Sequence, residues 1–310
     1  MSRNQADGAV RALGVSTAGR SNLRPTLRVA LELTHPITWF AAMWAYLCGA
    51  IASGRLHLPG SLPLILTGIV LGGPGLTALS QVINDYCDRD VDAINEPGRP
   101  MPSGRASIAM VRAEILVIAA LVLLCTVILG SARVGAFVLL GIAFAIVYSA
   151  HPVRAKRNGW IGNALCSASY EGLAWLAGGA SFGTLSQATV VAALLYSLGA
   201  HGIMTINDFK SMEGDAQLGI HTIPVIHGPR TAVMLAALVM DGAQIGVMIL
   251  LLHLGLWISA VAVGALLLVQ LPLQWRFLQQ PEQRAIWYNA TGTTFFVWGM
   301  MAAAIGIAHL

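Results

Sequence analysis

Seven apolar runs free of Asp, Glu, Lys and Arg alternate along this chain with short polar connections: 33–54, 56–84, 115–132, 134–153, 172–207, 242–275 and 285–310. A helical bilayer crossing takes about 20 such residues, so the two longest runs each hold more than one crossing. Dividing the runs at Gly, Pro and polar breaks predicts nine helices, at about 36–53, 62–84, 108–130, 134–150, 159–180, 188–207, 231–252, 255–273 and 287–309. The expected fold class is therefore an all-α membrane protein with nine transmembrane helices. Only His253, Gly255 and Pro272 divide the eighth helix from its neighbours. Within the second, Gly72, Gly73, Pro74 and Gly75 predict a break or a close-packing point, not a phosphate loop, because no strand or Lys flanks them.

Composition agrees with that pattern. Of 310 residues, 56% are hydrophobic and 10% charged, against about 25% charged in soluble domains. Mean hydropathy is +0.70, which excludes a soluble globular protein. Sixteen of the 18 Lys and Arg fall in connections on the N-terminal side of the nine-helix pattern, and two, Arg55 and Arg133, on the other. Basic residues collect on the cytoplasmic side of membranes, which puts the N-terminus there. Residues 1–30 carry Arg and Ser without an apolar core, so they are expected to form a basic cytoplasmic arm ahead of a single transmembrane domain over 31–310. Four cysteines without CxxC spacing read as inert thiols.

Candidate chemistry is concentrated at 81–107, QVINDYCDRDVDAINEPGRPMPSGRAS, which holds five of the 14 acidic residues. If the second helix continues through it, Asp85, Asp88 and Asp92 share one face at spacings of three and four. Carboxylates so placed repel each other and call for a cation, and oxygen-only ligands suit Mg²⁺ better than Zn²⁺. A second copy, NDFKSMEGD, follows the sixth helix: Asn207, Asp208, Ser211 and Asp215 each stand 123 residues beyond Asn84, Asp85, Asp88 and Asp92. This predicts two four-helix repeats, about 31–150 and 159–273, plus one helix. Ser211 leaves the second copy a carboxylate short, so the halves are not expected to be equivalent.

Two acidic helix ends facing each other would form a cleft open to the cytoplasm and walled by lipid-facing helices. That suits an amphiphile with a diphosphate head and a hydrocarbon tail, since Mg²⁺ commonly completes its shell with substrate phosphates. Arg99, Arg105, Arg154, Lys156, Arg157 and Lys210 lie on the same side, and with the metal they would stabilise a departing diphosphate. Tyr148 and the cations after it also fit an interfacial belt of positive-inside anchors. Glu171 and Asp241 lie in apolar runs, where an acid is costly. Glu171 is read either as lining an acceptor pocket or as a structural, hydrogen-bonded acid.

NDYCDRDVD resembles the NDxxDxxxD signature of the UbiA superfamily of intramembrane prenyltransferases, and NDFKSMEGD looks like its second aspartate motif. The longer strings THPITWFAAMWAYLCG, INDYCDRDVDAINEPGRPMPSG, YSAHPVRAKRNGWIGN and NDFKSMEGDAQLGIHTIPVIHG resemble the chlorophyll and bacteriochlorophyll synthases within it. The resemblance implies a UbiA-like bundle in a bacterial inner, photosynthetic membrane. It implies esterification of a bacteriochlorophyllide propionate with geranylgeranyl or phytyl diphosphate, Mg²⁺ as cofactor, and room for association with other pigment-biosynthesis or photosynthetic membrane proteins. No nucleic-acid partner is expected. Asp85, Asp88, Asp92, Asp208 and Asp215 are then the expected metal ligands. Asn84, Asn207 and Glu171 are expected to bind substrate, and Arg99, Tyr148, Arg154, Lys156 and Lys210 to serve catalysis. A propionate is already an anion at pH 7, so no dedicated general base is expected. The alternatives are a UbiA-type polyprenyltransferase with an aromatic or haem acceptor, and a cation transporter whose buried acids bind the ion.

Overall fold

A computed structural model describes residues 27–183 and 185–310. Among them the regular structure is helical, apart from one isolated parallel bridge between Asn158 and His221. A short helix α1 (Leu27–Leu33) leads through a 3₁₀ turn at Pro36–Thr38 into α2 (Trp39–Ala52). The basic arm expected over 1–30 lies outside the described residues except for its last four, which open α1. Next come α3 (Ser61–Val70), a π turn at Leu71–Thr77, and α4 (Ala78–Asn95) as one continuous rod. Helices α5 (Ile108–Leu129) and α6 (Ala132–Ser149) complete the first half. A second rod joins α7 (Gly159–Ser167), a π turn at Ala168–Leu173, and α8 (Ala174–Ser181). Helix α9 (Gln187–Asn207) gives way to a 3₁₀ turn at Asp208–Ser211 and two short helices, α10 (Met212–Gln217) and α11 (Ile223–His227). Three long helices close the chain: α12 (Pro229–His253), α13 (Trp257–Gln279) and α14 (Pro281–Ile307).

Seven helices among the described residues are long and apolar enough to cross a membrane. Pro36–Ala52 is a shorter apolar helix, and the run 159–181 is broken by a π turn, so among the described residues the count of spanning helices stands at seven against the nine expected from the apolar pattern. The outward faces remain apolar: on α5, Leu116, Val117, Leu123 and Val127 are each well over half exposed. Such a surface is stable facing lipid rather than water.

Local sequence explains where the helices start and stop. Ser107, Ser131 and Ser186 accept backbone N–H groups at the starts of α5, α6 and α9, and Asn158 does so for α7. Gly130, at φ 61°, closes α5 in the left-handed conformation that glycine adopts without cost. The Gly-Gly-Pro-Gly run is accommodated by the π turn at Leu71–Thr77, and the helix continues through it. This carries α4 to Asn95, eleven residues beyond the expected end, so the first acidic motif is helical throughout.

Three apolar clusters fill the bundle. One belongs to the first half (Leu71, Val82, Ile118, Val138), one to the second (Trp175, Tyr196, Met240, Phe296), and a small one (Tyr46, Ala50, Ala177, Phe182) lies where α2, α3 and α8 meet. Helices α2 and α8 approach through bare glycines: a Cβ on Gly49 would run into the Trp175 carbonyl, and one on Gly178 into the Tyr46 carbonyl. Small residues permit such backbone contact between membrane helices. Gly49→Ala is therefore expected to push α2 off α8 and lower the thermal midpoint sharply, whereas Gly242→Ala, where nothing lies within 4 Å, should leave it unchanged. Detergent thermal-shift measurement of both variants checks this.

Candidate active site

In the continuous helix α4, Asp85, Asp88 and Asp92 project from one face, as their spacing requires. All three are buried, at 2%, 7% and 7% exposure. The intervening Asp90 points away, its side chain 90% exposed and in contact with Arg89. Burying three carboxylates on one face is tolerable only with opposing charge. The chain supplies it from two connections.

Arg99, in the loop after α4, places one guanidinium nitrogen 3.1 Å from both Asp85 and Asp92 while its other nitrogens grip Glu96 at 2.6 and 3.0 Å. Burial works against this cation, but Glu96, Asp92 and Asp85 together outweigh it and hold its pKa above the ordinary value. His35 Nε2 also meets Asp85, at 3.2 Å. Arg105 secures the same loop by a bidentate pair with Glu32 of α1, both distances 2.6 Å.

Asp88 is held from the other side. Arg154 donates to it at 2.6 Å, and Lys156 pairs with its second oxygen. Burial pulls the Lys156 pKa below its ordinary value, with Asp88 opposing. Its amine lies 6.0 Å from the centre of the Tyr148 ring, a cation–π contact. Asn84 joins the cluster through its amide, which donates to Asp88 at 3.1 Å and accepts from Lys156 at 3.0 Å. Arg154 and His35 are the non-glycine residues at positive φ among those described, at 42° and 45°. Both side chains reach the aspartate face, in keeping with the clustering of backbone strain at functional sites.

The second motif is built differently. Its helix α9 ends at Asn207, and the 3₁₀ turn at Asp208–Ser211 takes Asp208 and Asp215 off any common helical face. Asn163 Nδ2 donates to Asp208 at 2.9 Å and Ser211 Oγ to Asp215 at 2.8 Å. Asn207 accepts from Asn289 of α14 at 2.7 Å. These partners are neutral. Lys210 is exposed and stands outside the ion pairs found among the described residues. The two halves are unequal, as Ser211 led us to expect, and the larger inequality is in cations.

Behind Asn84 and Tyr148 a cavity of about 190 Å³ enters the bundle between α4, α6 and the α7–α8 rod. Its walls are mostly apolar, with Leu71, Phe137, Phe144, Leu165 and Leu173 among them, and Gln81, hydrogen-bonded to Tyr170 at 3.1 Å, near the mouth. Glu171 does not line it. That residue is 5% exposed in the neighbouring π turn, and its Oε2 has no hydrogen-bond partner among the described residues.

Among the described residues no three of His, Cys, Asp and Glu are grouped so as to hold a metal ion by themselves. The donors that gather are carboxylate and amide oxygens, and Asp85 and Asp92 already share one cationic point at Arg99 Nη1. Such a set fits a hard divalent ion whose remaining ligands come from a bound phosphate.

The model of the UbiA prenyltransferase family matches residues 39–304. The chain belongs to that family. This UbiA prenyltransferase is 50% identical over 279 residues to the bacteriochlorophyll synthase 34 kDa chain of Chloroflexus aurantiacus, covering 90% of each. It is 47% identical to the 33 kDa chain of Cereibacter sphaeroides, covering 92% of this chain and 95% of that one. A UbiA homolog from Archaeoglobus fulgidus bound to GPP and Mg²⁺ shares the fold, with a TM-score of 0.66 at 20% identity over 89% of this chain and 99% of that one. Like its relatives, this UbiA prenyltransferase is an integral membrane protein. The partners that its sequence did not mark out beforehand are Ser149, whose hydroxyl donates to Asn84 at 3.2 Å, Asn163 and Asn289, each a polar residue on a largely apolar helix. A polar side chain at membrane depth is the one signal that pointed to them.

Proposed function

We propose that this enzyme esterifies the propionate of a bacteriochlorophyllide with geranylgeranyl or phytyl diphosphate. The observation that carries the reading is the junction of a buried carboxylate–cation cluster with an apolar cavity at Asn84 and Tyr148. A charged head and a hydrocarbon tail fit the two parts in turn. The names of the bacteriochlorophyll synthase relatives support the choice of acceptor.

Arg154, Lys156 and Arg99 bind and orient the diphosphate oxygens. Asp85, Asp88, Asp92, Asp208 and Asp215 would hold Mg²⁺, which neutralises charge building on the leaving diphosphate. The C1–O bond of the prenyl group breaks with its electron pair leaving on the diphosphate, and a propionate oxygen forms the new C–O bond at C1. The acceptor arrives ionised, so no side chain needs to remove a proton. Tyr148 and the apolar walls beside it keep water from the allylic cation. Sixteen of the 18 basic side chains fall to the motif side of the helix pattern, which supports the reading that this face and the N-terminus lie on the cytoplasmic side of the membrane.

The test is mass spectrometry of the ester made by the purified chain given bacteriochlorophyllide, geranylgeranyl diphosphate and phytyl diphosphate together. A pigment ester should form, cease with EDTA and return with Mg²⁺. Turnover of 4-hydroxybenzoate in place of the pigment would overturn the reading.

A further inference from the structure

The far end of the cavity includes an aromatic side chain, Tyr46, whose setting is unusually constrained. Tyr46 of α2 is 1% exposed, and its hydroxyl donates to the Leu64 carbonyl of α3 at 3.2 Å. Its ring lies across Gly68, where any Cβ would collide with it, and its own carbonyl lies against Gly178 of α8. Two glycines on two different helices thus leave room for this one residue. Ala177 and Phe137 complete the floor beside it, and behind them Ala50, Phe182 and Leu56 form the small third apolar cluster. Well-packed clusters of this kind do not yield easily to an added group.

Cavity depth can be read from the helices that line it. From Tyr148 at the mouth to Phe137 at the floor is eleven residues of α6, or about 16 Å at 1.5 Å per residue. On the opposite wall, from Asn84 to Leu71 is thirteen residues, at most about 20 Å because part of the stretch is the more compressed π turn. A geranylgeranyl tail has sixteen main-chain carbons, and at about 1.25 Å of advance per bond in an extended chain it spans about 19 Å. A hexaprenyl tail, with twenty-four, spans about 29 Å and overruns the floor by about 10 Å.

We propose that Tyr46, fixed by Leu64, Gly68 and Gly178, ends the tail cavity and makes geranylgeranyl length the longest tail this enzyme transfers efficiently. The proposal rests on the prenyltransferase reading above and adds a size limit to it. Tyr46→Leu removes most of the ring and the hydroxyl and deepens the cavity. Tyr46→Phe keeps the ring and loses only the bond to Leu64. Ala177→Leu raises the floor from the other side.

The full chain, offered geranyl, geranylgeranyl and hexaprenyl diphosphates together with bacteriochlorophyllide, reports the limit as a ratio of ester products. The wild-type chain should favour geranylgeranyl over hexaprenyl. Tyr46→Leu should reduce that preference by about tenfold, the scale on which apolar pockets discriminate size. Tyr46→Phe should leave it unchanged, and Ala177→Leu should shift use from geranylgeranyl towards geranyl by about tenfold. Equal use of hexaprenyl by the wild-type chain, or an unaltered product ratio in Tyr46→Leu, overturns the proposal. If Tyr46→Leu does not fold, Ala177→Leu decides it on the same terms. Thermal protection by unreactive prenyl thiolodiphosphates, with no acceptor present, separates the two readings. Protection by geranylgeranyl and not by hexaprenyl sustains the floor even where no pigment ester forms, and equal protection by both removes it.

Discussion

Asp88→Ala is expected to abolish prenyl transfer, with kcat/KM falling by about a thousandfold or more, the scale on which preorganised charges contribute. Its carboxylate is the one point at which Arg154, Lys156 and Asn84 meet. Arg154 is 5% exposed and held at a positive φ. Without Asp88 two buried cations are left facing each other, so the diphosphate loses both its metal ligand and the ordered cations that receive it. Removing one partner of a buried ion pair typically costs about 3–5 kcal/mol of stability. The thermal midpoint should therefore fall together with activity. Asp88→Asn, which keeps the shape and loses the charge, should recover part of the midpoint without the turnover. Steady-state kinetics with a thermal-shift assay reads both quantities, and near-normal turnover in Asp88→Ala would remove this residue from the diphosphate site.

The second large effect is expected at Asp208. In the first motif, arginine and lysine side chains already neutralise Asp85, Asp88 and Asp92. In the second, Asp208 and Asp215 have only Asn163 and Ser211 as hydrogen-bond partners. An added divalent ion thus finds carboxylates without a direct ion pair among the described residues on the side with fewer acidic residues. Asp208→Asn is expected to raise the Mg²⁺ concentration for half-maximal rate by about 100-fold, at the upper end of what even outer-shell changes do to metal sites. Ser211→Ala, which removes one hydrogen bond to Asp215, should raise it by about tenfold at most. Magnesium titration of initial rates distinguishes them. Equal Mg²⁺ requirement in Asp208→Asn and the wild-type chain would show that the first motif alone holds the ion.

Much of this site was legible because it depends on chain-local geometry. The three- and four-residue spacing of Asp85, Asp88 and Asp92 fixes a shared face on any helix that passes through them, and the structure adds only that α4 runs on to Asn95. The Gly-rich break in the first rod was equally plain, since proline and glycines must disturb the helical hydrogen-bond ladder. The copy at 207–215 was visible as sequence, but its shape was not. The 3₁₀ turn that displaces Asp208 from a helical face is bridged by Ser211, whose hydroxyl reaches the Asp208 carbonyl and the Asp215 carboxylate, and it packs against α9, α10 and α14. Glu171 was legible only as a buried acid in an apolar run, read as a pocket wall or a structural acid; in the structure it is buried and is absent from the lining of the cavity beside it.

By itself, then, the sequence determined the membrane class, the helical apolar pattern, the acidic face of α4 and the family, because these follow from hydropathy, helical period and local motif. Tertiary structure decided the partners. Arg154 reaches Asp88 across 66 residues, Asn289 reaches Asn207 across 82, and Tyr46 finds its berth between Gly68 and Gly178 on two other helices. Those contacts depend on how separate helices approach and rotate against one another. No periodicity within a single helix encodes that, so the cation that neutralises each carboxylate, and the residue that ends the cavity, became visible only in the folded bundle.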